Sequence, residues 1–423
     1  MFSVMLMAGW VVAAQPAKTE NAELQTQVNR LVRQLDANEK AKRDAAEEAL
    51  IKFGPAILDL LPTRYRSEEE KQRVGRIRQK LQNIVGDDFA KASLVTLSAE
   101  KMPLSKILAA IQRQTGNTIT DGRKAAGGPI PDPELTVAFH KTPFWKALDT
   151  VLDQAGLTVY PFVDNAIQIM PLAPQQLPRV GQAAYSGPFR LEPVRIVARR
   201  ELRTRLDPVL MLTLQVAWEP RLKPIGLKQR RADVKAVDDT GKVLAIDDPE
   251  AETEALLPRG ATAVDLTVPL GLPARPAKEI ASLAGSVQAM IPGKTEEFKF
   301  TDLIKAKEVQ RRIAGATVTL EQVRKTEDKL WEVNIRVQFD DAGKSLESHR
   351  AWITQNEAYL EGPDGKPITP DSSETTQRSK DGIGMGYVFA LEKPPEGMTF
   401  VYKTPGTIIT RSFPYELKNI PLP

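Results

Sequence analysis

The chain contains no cysteine and only two histidines, His140 and His349. The lack of cysteine excludes disulfide bonds, thiolate metal ligands, cysteine nucleophiles and a lipidated N-terminal cysteine. Neither histidine has a neighbouring His, Asp or Glu at metal-ligand spacing on a shared face. Aromatic residues, at 6% of the chain, are too few along the basic segments to stack on nucleic-acid bases. We therefore predict no metal site, no cofactor and no nucleic-acid partner.

The remaining composition is that of a soluble globular protein. Of the 423 residues, 42% are hydrophobic and 26% are charged, which is ordinary for folded domains. A chain of this length exceeds what one core holds, so about two to four domains are expected. The net charge of +4 is mildly basic and gives a weak indication of an anionic partner.

An apolar run extends from Phe2 to Ala14 and ends in Val12-Ala13-Ala14. Small residues before Gln15 match the site that signal peptidase cleaves, although no Lys or Arg precedes the run. The run is shorter than the roughly 20 residues of a membrane-spanning helix. We predict a signal peptide over residues 1–14, a periplasmic or secreted location and no transmembrane segment in the mature chain. The alternative is a buried N-terminal helix.

Residues 22–85 have the pattern of a helical region. Three apolar stripes recur at helical spacing. They are Leu24, Val28, Leu31 and Leu35; then Ala45, Ala49 and Phe53; then Val74, Ile77, Leu81 and Ile84. Two helices joined by a turn weakly resemble one HEAT-like unit, which cannot bury its own faces well. We expect it to pack on a neighbouring domain or partner; a helical spacer is the alternative.

A repeat follows, with residues 95–120 aligning to residues 135–160. Each copy predicts a short strand, a proline at the start of a helix and a glycine that ends the helix, followed by another strand. The identical positions are Thr96/Thr136, Lys101/Lys141, Pro103/Pro143, Lys106/Lys146, Leu108/Leu148, Gln114/Gln154, Gly116/Gly156 and Thr118/Thr158. Together with a last strand, "AIQIM", the two copies predict a small α/β module. Leu108 and Leu148 should be buried at matching positions.

The segment from "VTLSAEKMPLSKILAAIQRQTGNTIT" to "DNAIQIMP", residues 93–171, resembles the secretin and TonB short N-terminal domain. The resemblance lies in hydrophobic spacing together with the repeated Pro and Gly. In secretins such modules form periplasmic rings, and in TonB-dependent transducers they contact inner-membrane regulators. The resemblance therefore implies an envelope location. The chain shows neither a barrel-forming strand series nor a secretin core, so the usual machinery of the family is not implied.

The C-terminal half changes to alternating patterns after a proline-rich linker at 171–188. Leu210, Leu212, Leu214, Val216 and Trp218 share one strand face, and Trp331, Val333, Ile335, Val337 and Phe339 share another. Hairpin signals follow each strand, in "VKAVDDTGKVL" and "AYLEGPDGKPI". We predict two Ig-like β-sandwich domains, at 189–301 and 302–423. The fold class is thus multidomain α+β, with a helical hairpin, a small βαβ-repeat module and two all-β sandwiches.

Several short motifs mimic catalytic sites without their structural context. Ser98 to Lys101 has the S-x-x-K spacing but falls at a strand end, where no helix directs the side chains inward. Gly293-Lys294-Thr295 and Gly343-Lys344-Ser345 lack the first glycine of a phosphate loop and lie at β turns. Paired aspartates such as Asp238-Asp239 are isolated turn residues, without the alternating ligands of a calcium loop. His140 is expected to be a solvated residue at a strand end.

The best candidate for binding is the basic stretch "RIVARRELRTR". Clustered guanidinium groups bind phosphate, carboxylate or anionic glycan. Its members are Arg195, Arg199, Arg200, Arg203 and Arg205, with "KQRR" at 228–231 as a further basic segment. The alternative is a solvated strand face balanced by Glu192, Glu201 and Asp207.

Taken together, the sequence predicts a non-catalytic scaffold or protein-interaction protein of the cell envelope. Its partners would be envelope proteins or an anionic envelope polymer, and further copies of the chain could be among them. A glycan- or peptidoglycan-binding envelope protein is one alternative, because β-sandwiches often carry such sites. An enzyme of unknown reaction is the other.

Overall fold

The structure is a computed structural model. It describes residues 17–423 except 63, 124–129, 176–180, 201–202, 204–207, 259, 294, 340–352, 355, 380–381 and 407. The predicted signal peptide, Arg205 and His349 lie outside the described residues. The fold is mixed α+β, as predicted. It divides into two units, Met1–Val85 and Gly86–Pro423.

The first unit is helical. Its elements are α1 (Ala17–Gln34), α2 (Lys40–Lys52), a short 3-10 helix (Pro55–Leu60) and α3 (Glu68–Ala90). The last helix, α3, extends beyond Val85, where the first unit ends. Two details differ from the prediction. In α2 the buried residues are Ala46 and Leu50 rather than Ala45 and Ala49, because that register buries the larger leucine. Ile84, the last residue of the third stripe, is exposed.

The second unit begins with the βαβ repeat. The first copy contains β1 (Leu94–Pro103), α4 (Leu104–Thr115) and β2 (Ile119–Asp121). The second contains β3 (Glu134–Pro143), α5 (Phe144–Ala155) and β4 (Leu157–Val163), and β5 (Ala166–Pro171) follows. Both helices end at a left-handed glycine, Gly116 with φ 68° and Gly156 with φ 64°. Only glycine adopts this conformation without strain.

The two copies exchange matching hydrogen bonds. Lys101 and Lys141 both adopt positive φ, at 46° and 48°. The amide of Lys101 donates to Thr136 Oγ1 at 3.3 Å, and the amide of Lys141 donates to Thr96 Oγ1 at 3.1 Å. Since β1 and β3 pair antiparallel, each copy supplies the acceptor for the other. The sequence repeat is therefore also a structural repeat.

The module has two separate sheets. One is the β1–β3 pair, and the other has the order β2-β5-β4, in which β2 and β5 run parallel. The helix stripes are buried as predicted. They comprise Leu104, Ile107, Leu108 and Ile111 in α4 and Phe144, Ala147, Leu148 and Val151 in α5. These side chains join one core with Val95, Ile167 and Ile169 from the sheets.

The first sandwich packs two sheets around a second core. One sheet has the order β13-β8-β7-β6, and the other has β11-β10-β14-β9-β12. The strands are β6 (Ala184–Ser186), β7 (Phe189–Arg199), β8 (Val209–Trp218), β9 (Gly226–Arg230), β10 (Lys235–Asp238), β11 (Val243–Leu244), β12 (Glu252–Leu256), β13 (Ala263–Gly271) and β14 (Glu279–Pro292).

The second sandwich has sheets of order β16-β17-β18-β22-β21 and β15-β23-β19-β20. Its strands are β15 (Thr295–Phe300), β16 (Lys307–Ile313), β17 (Ala316–Glu327), β18 (Leu330–Phe339), β19 (Ala358–Glu361), β20 (Pro367–Ile368), β21 (Ser372–Arg378), β22 (Gly382–Ala390) and β23 (Thr399–Pro405). Both predicted hairpins are present, as β10–β11 and β19–β20.

The last strand, β24 (Ile408–Pro421), returns to the first sandwich. It pairs antiparallel with β14 along nearly its whole length. Phe413, Tyr415 and Leu417 alternate along β24 and enter the first core. The structure thus differs from the sequence division at residue 302, because a strand from the end of the chain completes the earlier sheet. The long β14 needs a partner of equal length to satisfy its backbone groups.

The predicted apolar strand faces are confirmed. In β8, Leu210, Leu214 and Trp218 are buried, and in β18 Trp331 and Phe339 pack partly buried against their core. The opposite face of β8 is partly buried as well. Ala217 is buried against the core of the repeat module. The module and the first sandwich therefore share apolar contacts.

Candidate interaction surfaces

The predicted basic residues lie along and just after β7. Arg195 and Arg199 are exposed on one face of the strand, opposite Thr213 and Val209 of β8. Arg200 follows the strand and is exposed, as is Arg203. Arg205 lies outside the described residues. The structure thus places four of the five predicted arginines on the surface at one end of a hairpin.

Most of β7 forms a sheet edge. β6 pairs only with Phe189, Arg190 and Leu191, and within the described residues no strand pairs with that side of β7 beyond Leu191. Val194 is 45% exposed and Val197 is 49% exposed. A register shift between Pro193 and Arg195 makes Val194 the extra residue of a β-bulge. The edge therefore presents backbone, two valines and a row of arginines.

Of the three acids that the sequence offered as balancing charges, the structure describes one. Glu192, which the sequence offered as a balancing acid, has its carboxylate 2.8 Å from Nη2 of the buried Arg190. Glu201 and Asp207 lie outside the described residues. The "KQRR" segment lies on β9 in the opposite sheet, where Lys228 pairs with Glu252 of β12. It therefore does not extend the basic face of β7.

The N-terminal end of β7 is fixed to the repeat module by buried polar contacts. Arg190 Nη1 lies 3.1 Å from Asp149 Oδ1 of α5, and both side chains are fully buried. The guanidinium stacks over the Trp145 ring at 4.9 Å, and Trp145 Nε1 donates to the Pro188 carbonyl at 3.1 Å. Tyr185 donates its hydroxyl to Asp149 Oδ2 at 2.8 Å. We name these four side chains the Arg190 joint.

A second buried contact joins the same two parts of the chain. Glu219, just after β8, is fully buried and accepts hydrogen bonds from Ser93 N at 2.9 Å and Asn117 Nδ2 at 3.0 Å. Arg221 Nε lies 2.6 Å from the same carboxylate. A buried carboxylate with several donors is well satisfied. The module and first sandwich are therefore joined at two places.

Burial and local hydrogen bonds shift the pKa values of several titratable groups of the second unit. Burial, together with the nearby Asp149 carboxylate, raises the pKa of Tyr185 well above its usual value. Hydrogen bonds from the Ser105 side chain and backbone lower the pKa of Asp132, and the Thr240 hydroxyl lowers that of Asp238. Asp238 Oδ1 accepts from Thr240 and Lys242 amides, as a turn residue does. Each group keeps its ordinary charge at neutral pH.

The other predicted features fall as follows. His140 is exposed at the end of the alternating part of β3, as expected, and Ser98 to Lys101 lies within β1. Among the described residues, no group of three His, Cys, Asp or Glu side chains could hold a metal ion. In the same part of the chain, no helix combines the length and hydropathy needed to cross a membrane.

The buried joint residues were missed by sequence reasoning. Asp149 sits within the apolar stripe region of α5, and Arg190 directly follows Phe189 in a buried strand end. An isolated acid and an isolated base in apolar surroundings signal a buried pair. Their pairing across separate elements required the tertiary structure.

Comparisons of the chain with protein families, with curated proteins and with solved structures find no match.

Proposed function

We propose that the chain is an exported, non-catalytic scaffold or protein-interaction protein of the cell envelope. A periplasmic or secreted location is part of this proposal, and so is the Ig-like character of the two sandwiches. The apolar run that ends in Val12-Ala13-Ala14 supports export. The resemblance of residues 93–171 to the secretin and TonB short N-terminal domain supports an envelope setting.

The single observation that carries the proposal is the exposed edge of β7. An unpaired strand edge is a template for an added strand, with main-chain hydrogen bonds giving affinity and side chains giving specificity. On this edge Arg195 and Arg199 alternate with Val197, which is half exposed. The matching partner is an extended, acidic segment of another envelope protein. An anionic envelope polymer would instead use the arginines alone.

The Arg190 joint holds β7 in a fixed position relative to the repeat module, which favours binding of a partner strand to the β7 edge. Arg190 lies on β7 itself, and its partners Asp149 and Trp145 lie on α5 of the repeat module. The joint therefore fixes the module beside the N-terminal end of β7, where the exposed edge begins. A preformed edge loses less conformational entropy when a partner strand adds to it.

The test is capture of envelope proteins by the purified full chain, compared between two charge-matched variants. The edge variant carries Arg195→Glu, Arg199→Glu and Arg200→Glu. The control carries Lys305→Glu, Lys307→Glu and Arg311→Glu, which change the same charge at exposed positions around β16. We expect proteins held by the wild type and the control to be lost, by about tenfold or more, only from the edge variant.

The melting temperature of the edge variant should stay close to that of the wild type, because exposed charges contribute little to stability. Retention of the same partners by the edge variant would contradict the proposal. Competition with a polyglutamate peptide and with heparin separates the two partner classes. Loss of capture with heparin alone would favour an anionic polymer over an acidic protein segment.

A further inference from the structure

The outer face of the second sandwich contains a polar groove beside three glycines of β22. Along β22, Gly382, Gly384 and Gly386 alternate with Ile383, Met385 and Tyr387. The three larger residues are buried in the core, so the three glycines all face outward. Glycine in a strand interior is destabilising relative to alanine. Three glycines in one strand are explained if side chains of the neighbouring strands need the room above β22 on the outer face of the sheet.

The space above the glycines is occupied by polar side chains of the neighbouring strands. A Cβ atom at Gly386 would lie 2.8 Å from Glu332 Oε1 and 3.0 Å from Asn334 Oδ1. A Cβ at Gly384 would lie 2.7 Å from Thr376 Oγ1. The glycines therefore let these oxygens lean over the strand. Glu332, Asn334 and Thr376 line a groove of about 490 Å³, together with Gln377 and Glu374.

One polar atom that lines the groove accepts no hydrogen bond within the part of the chain that the structure describes. Asn334 is 6% exposed, and within the described residues its Oδ1 accepts no hydrogen bond. A buried acceptor left unpaired destabilises the folded state. The neighbouring Glu332 differs, because Arg324 Nε and Nη2 both lie 2.7 Å from its Oε2. Asn334 Oδ1 is thus placed to receive a donor that is not part of this sheet.

The lining defines the kind of ligand. Carboxylate, amide, hydroxyl and guanidinium groups are mixed along the groove, so it offers both acceptors and donors. A ligand rich in hydroxyl groups can satisfy both, because each hydroxyl donates and accepts. Glu332 and Glu374 disfavour an anionic ligand. The volume lies within the range of small-ligand sites, about 300–1,000 Å³.

We propose that this groove binds a short neutral glycan, with Asn334 Oδ1 accepting a hydrogen bond from a sugar hydroxyl. The site lies on the second sandwich and does not depend on the edge of β7. The two proposals can therefore fail separately. If both hold, the chain connects a glycan to a protein partner.

The test is titration of the full chain with chitotriose, maltotriose and cellotriose, and with trigalacturonic acid as an anionic comparison. Calorimetry measures affinity, and the amide resonances of Gly384 and Gly386 in glycine-labelled protein report the location. We expect at least one neutral trisaccharide to bind and to shift these resonances. Asn334→Leu should weaken that binding about tenfold or more, which corresponds to about 1.4 kcal/mol.

Two further variants keep the result interpretable. Gln310→Leu, at an exposed position of β16 in the same sheet, should bind like the wild type. Asn334→Leu should melt no lower than the wild type, because it removes an unsatisfied buried acceptor. If it does melt lower, Thr376→Val, at an exposed position of β21, replaces it and should weaken binding. No binding by any neutral sugar, preference for the anionic sugar, or unchanged binding in the groove variants would overturn the proposal.

Discussion

Arg190 and Asp149 form an ion pair at 3.1 Å in which neither side chain reaches solvent. Arg190 belongs to a strand of the first sandwich and Asp149 to a helix of the repeat module. Two charges are removed from water at this joint, which is costly unless each keeps good partners. Trp145 and Tyr185 supply additional contacts to the guanidinium and the carboxylate. The joint therefore fixes one orientation between the two parts.

Breaking this pair from one side should be strongly destabilising. Asp149→Leu or Arg190→Met alone leaves the other charge without its main partner, so we expect a loss of about 3–5 kcal/mol in the free energy of unfolding. The double variant should lose clearly less than the sum of the single losses. Urea denaturation of the four proteins measures both quantities.

Arg195→Met is the matched control for this cycle. Arg195 lies on the same strand but is exposed, so its substitution should change stability by less than about 0.5 kcal/mol. Additive losses from Asp149→Leu and Arg190→Met would show that the two side chains are not energetically coupled.

The repeat makes a second prediction, at matching positions of α4 and α5. Leu108→Ala and Leu148→Ala should each cost about 2–5 kcal/mol, since both side chains are buried. The loss at Leu148 should be larger, because Leu108 borders a surface cavity with Gln112 and Ile119. Thermal and urea unfolding measure the losses, with Leu94→Ala at an exposed position of β1 as the control. Losses below about 1 kcal/mol at both sites would mean that these helices do not stabilise the module.

Local patterns predicted much of this fold. Proline and glycine mark both helices of the repeat, and the alternation in β8 correctly places Leu210 and Trp218 inside. These features depend on backbone geometry and on burial of neighbouring residues, which a short window of sequence contains. The alternation of glycines in β22 is equally visible in the sequence, but that pattern alone does not predict a groove.

Long-range pairing was harder to predict. β24 joins β14 across more than a hundred residues, and both strands have patterns that any sheet could accept. The alternation in β8 does not show what covers its outer face, where Ala217 is buried against the repeat module. Alanine fits either environment, so its burial is decided by the neighbour. Asn334 lies on the outer face of β18 by pattern, yet it is buried, and a Cβ at Gly386 would lie 3.0 Å from its Oδ1.

Acid should reveal the cap at the start of α4. Asp132 accepts hydrogen bonds from Ser105 N at 2.8 Å and Ser105 Oγ at 2.7 Å, which lower its pKa. A lowered folded-state pKa stabilises the fold above the unfolded value, about 3.9, and this contribution is lost as pH falls through the folded value. Asp132→Asn should cost about 0.5 kcal/mol at pH 7, because the site is exposed to solvent.

The difference in the free energy of unfolding between Asp132→Asn and the wild type should shrink toward zero as the pH falls through the folded-state pKa of Asp132. Unfolding measured between about pH 7 and pH 2.5 tests this dependence. Glu100→Gln, at an exposed carboxylate on β1, is the control for loss of one surface negative charge. An equal loss at every pH would mean that the ionised carboxylate of Asp132 does not cap the helix.

Export predicts a shortened mature chain. Cleavage after Val12-Ala13-Ala14 should give a protein that begins at or near Gln15. N-terminal sequencing of the protein from a cell-envelope fraction measures this directly. Recovery of chains with an intact Met1 from the cytoplasmic fraction would contradict the proposed location.

The exposed edge of β7 is the proposed binding site for the partner. Site-specific crosslinking in intact cells tests this assignment directly. A photoreactive benzoylphenylalanine is placed at Val197, which is 49% exposed, or at Val243, which is 67% exposed on the edge strand β11. We predict a discrete crosslinked protein adduct from Val197 that disappears when Arg195 and Arg199 are changed to glutamate, and no such adduct from Val243. Equal crosslinking at both positions, or none at Val197, would contradict the claim that this edge is where the protein binds its partner.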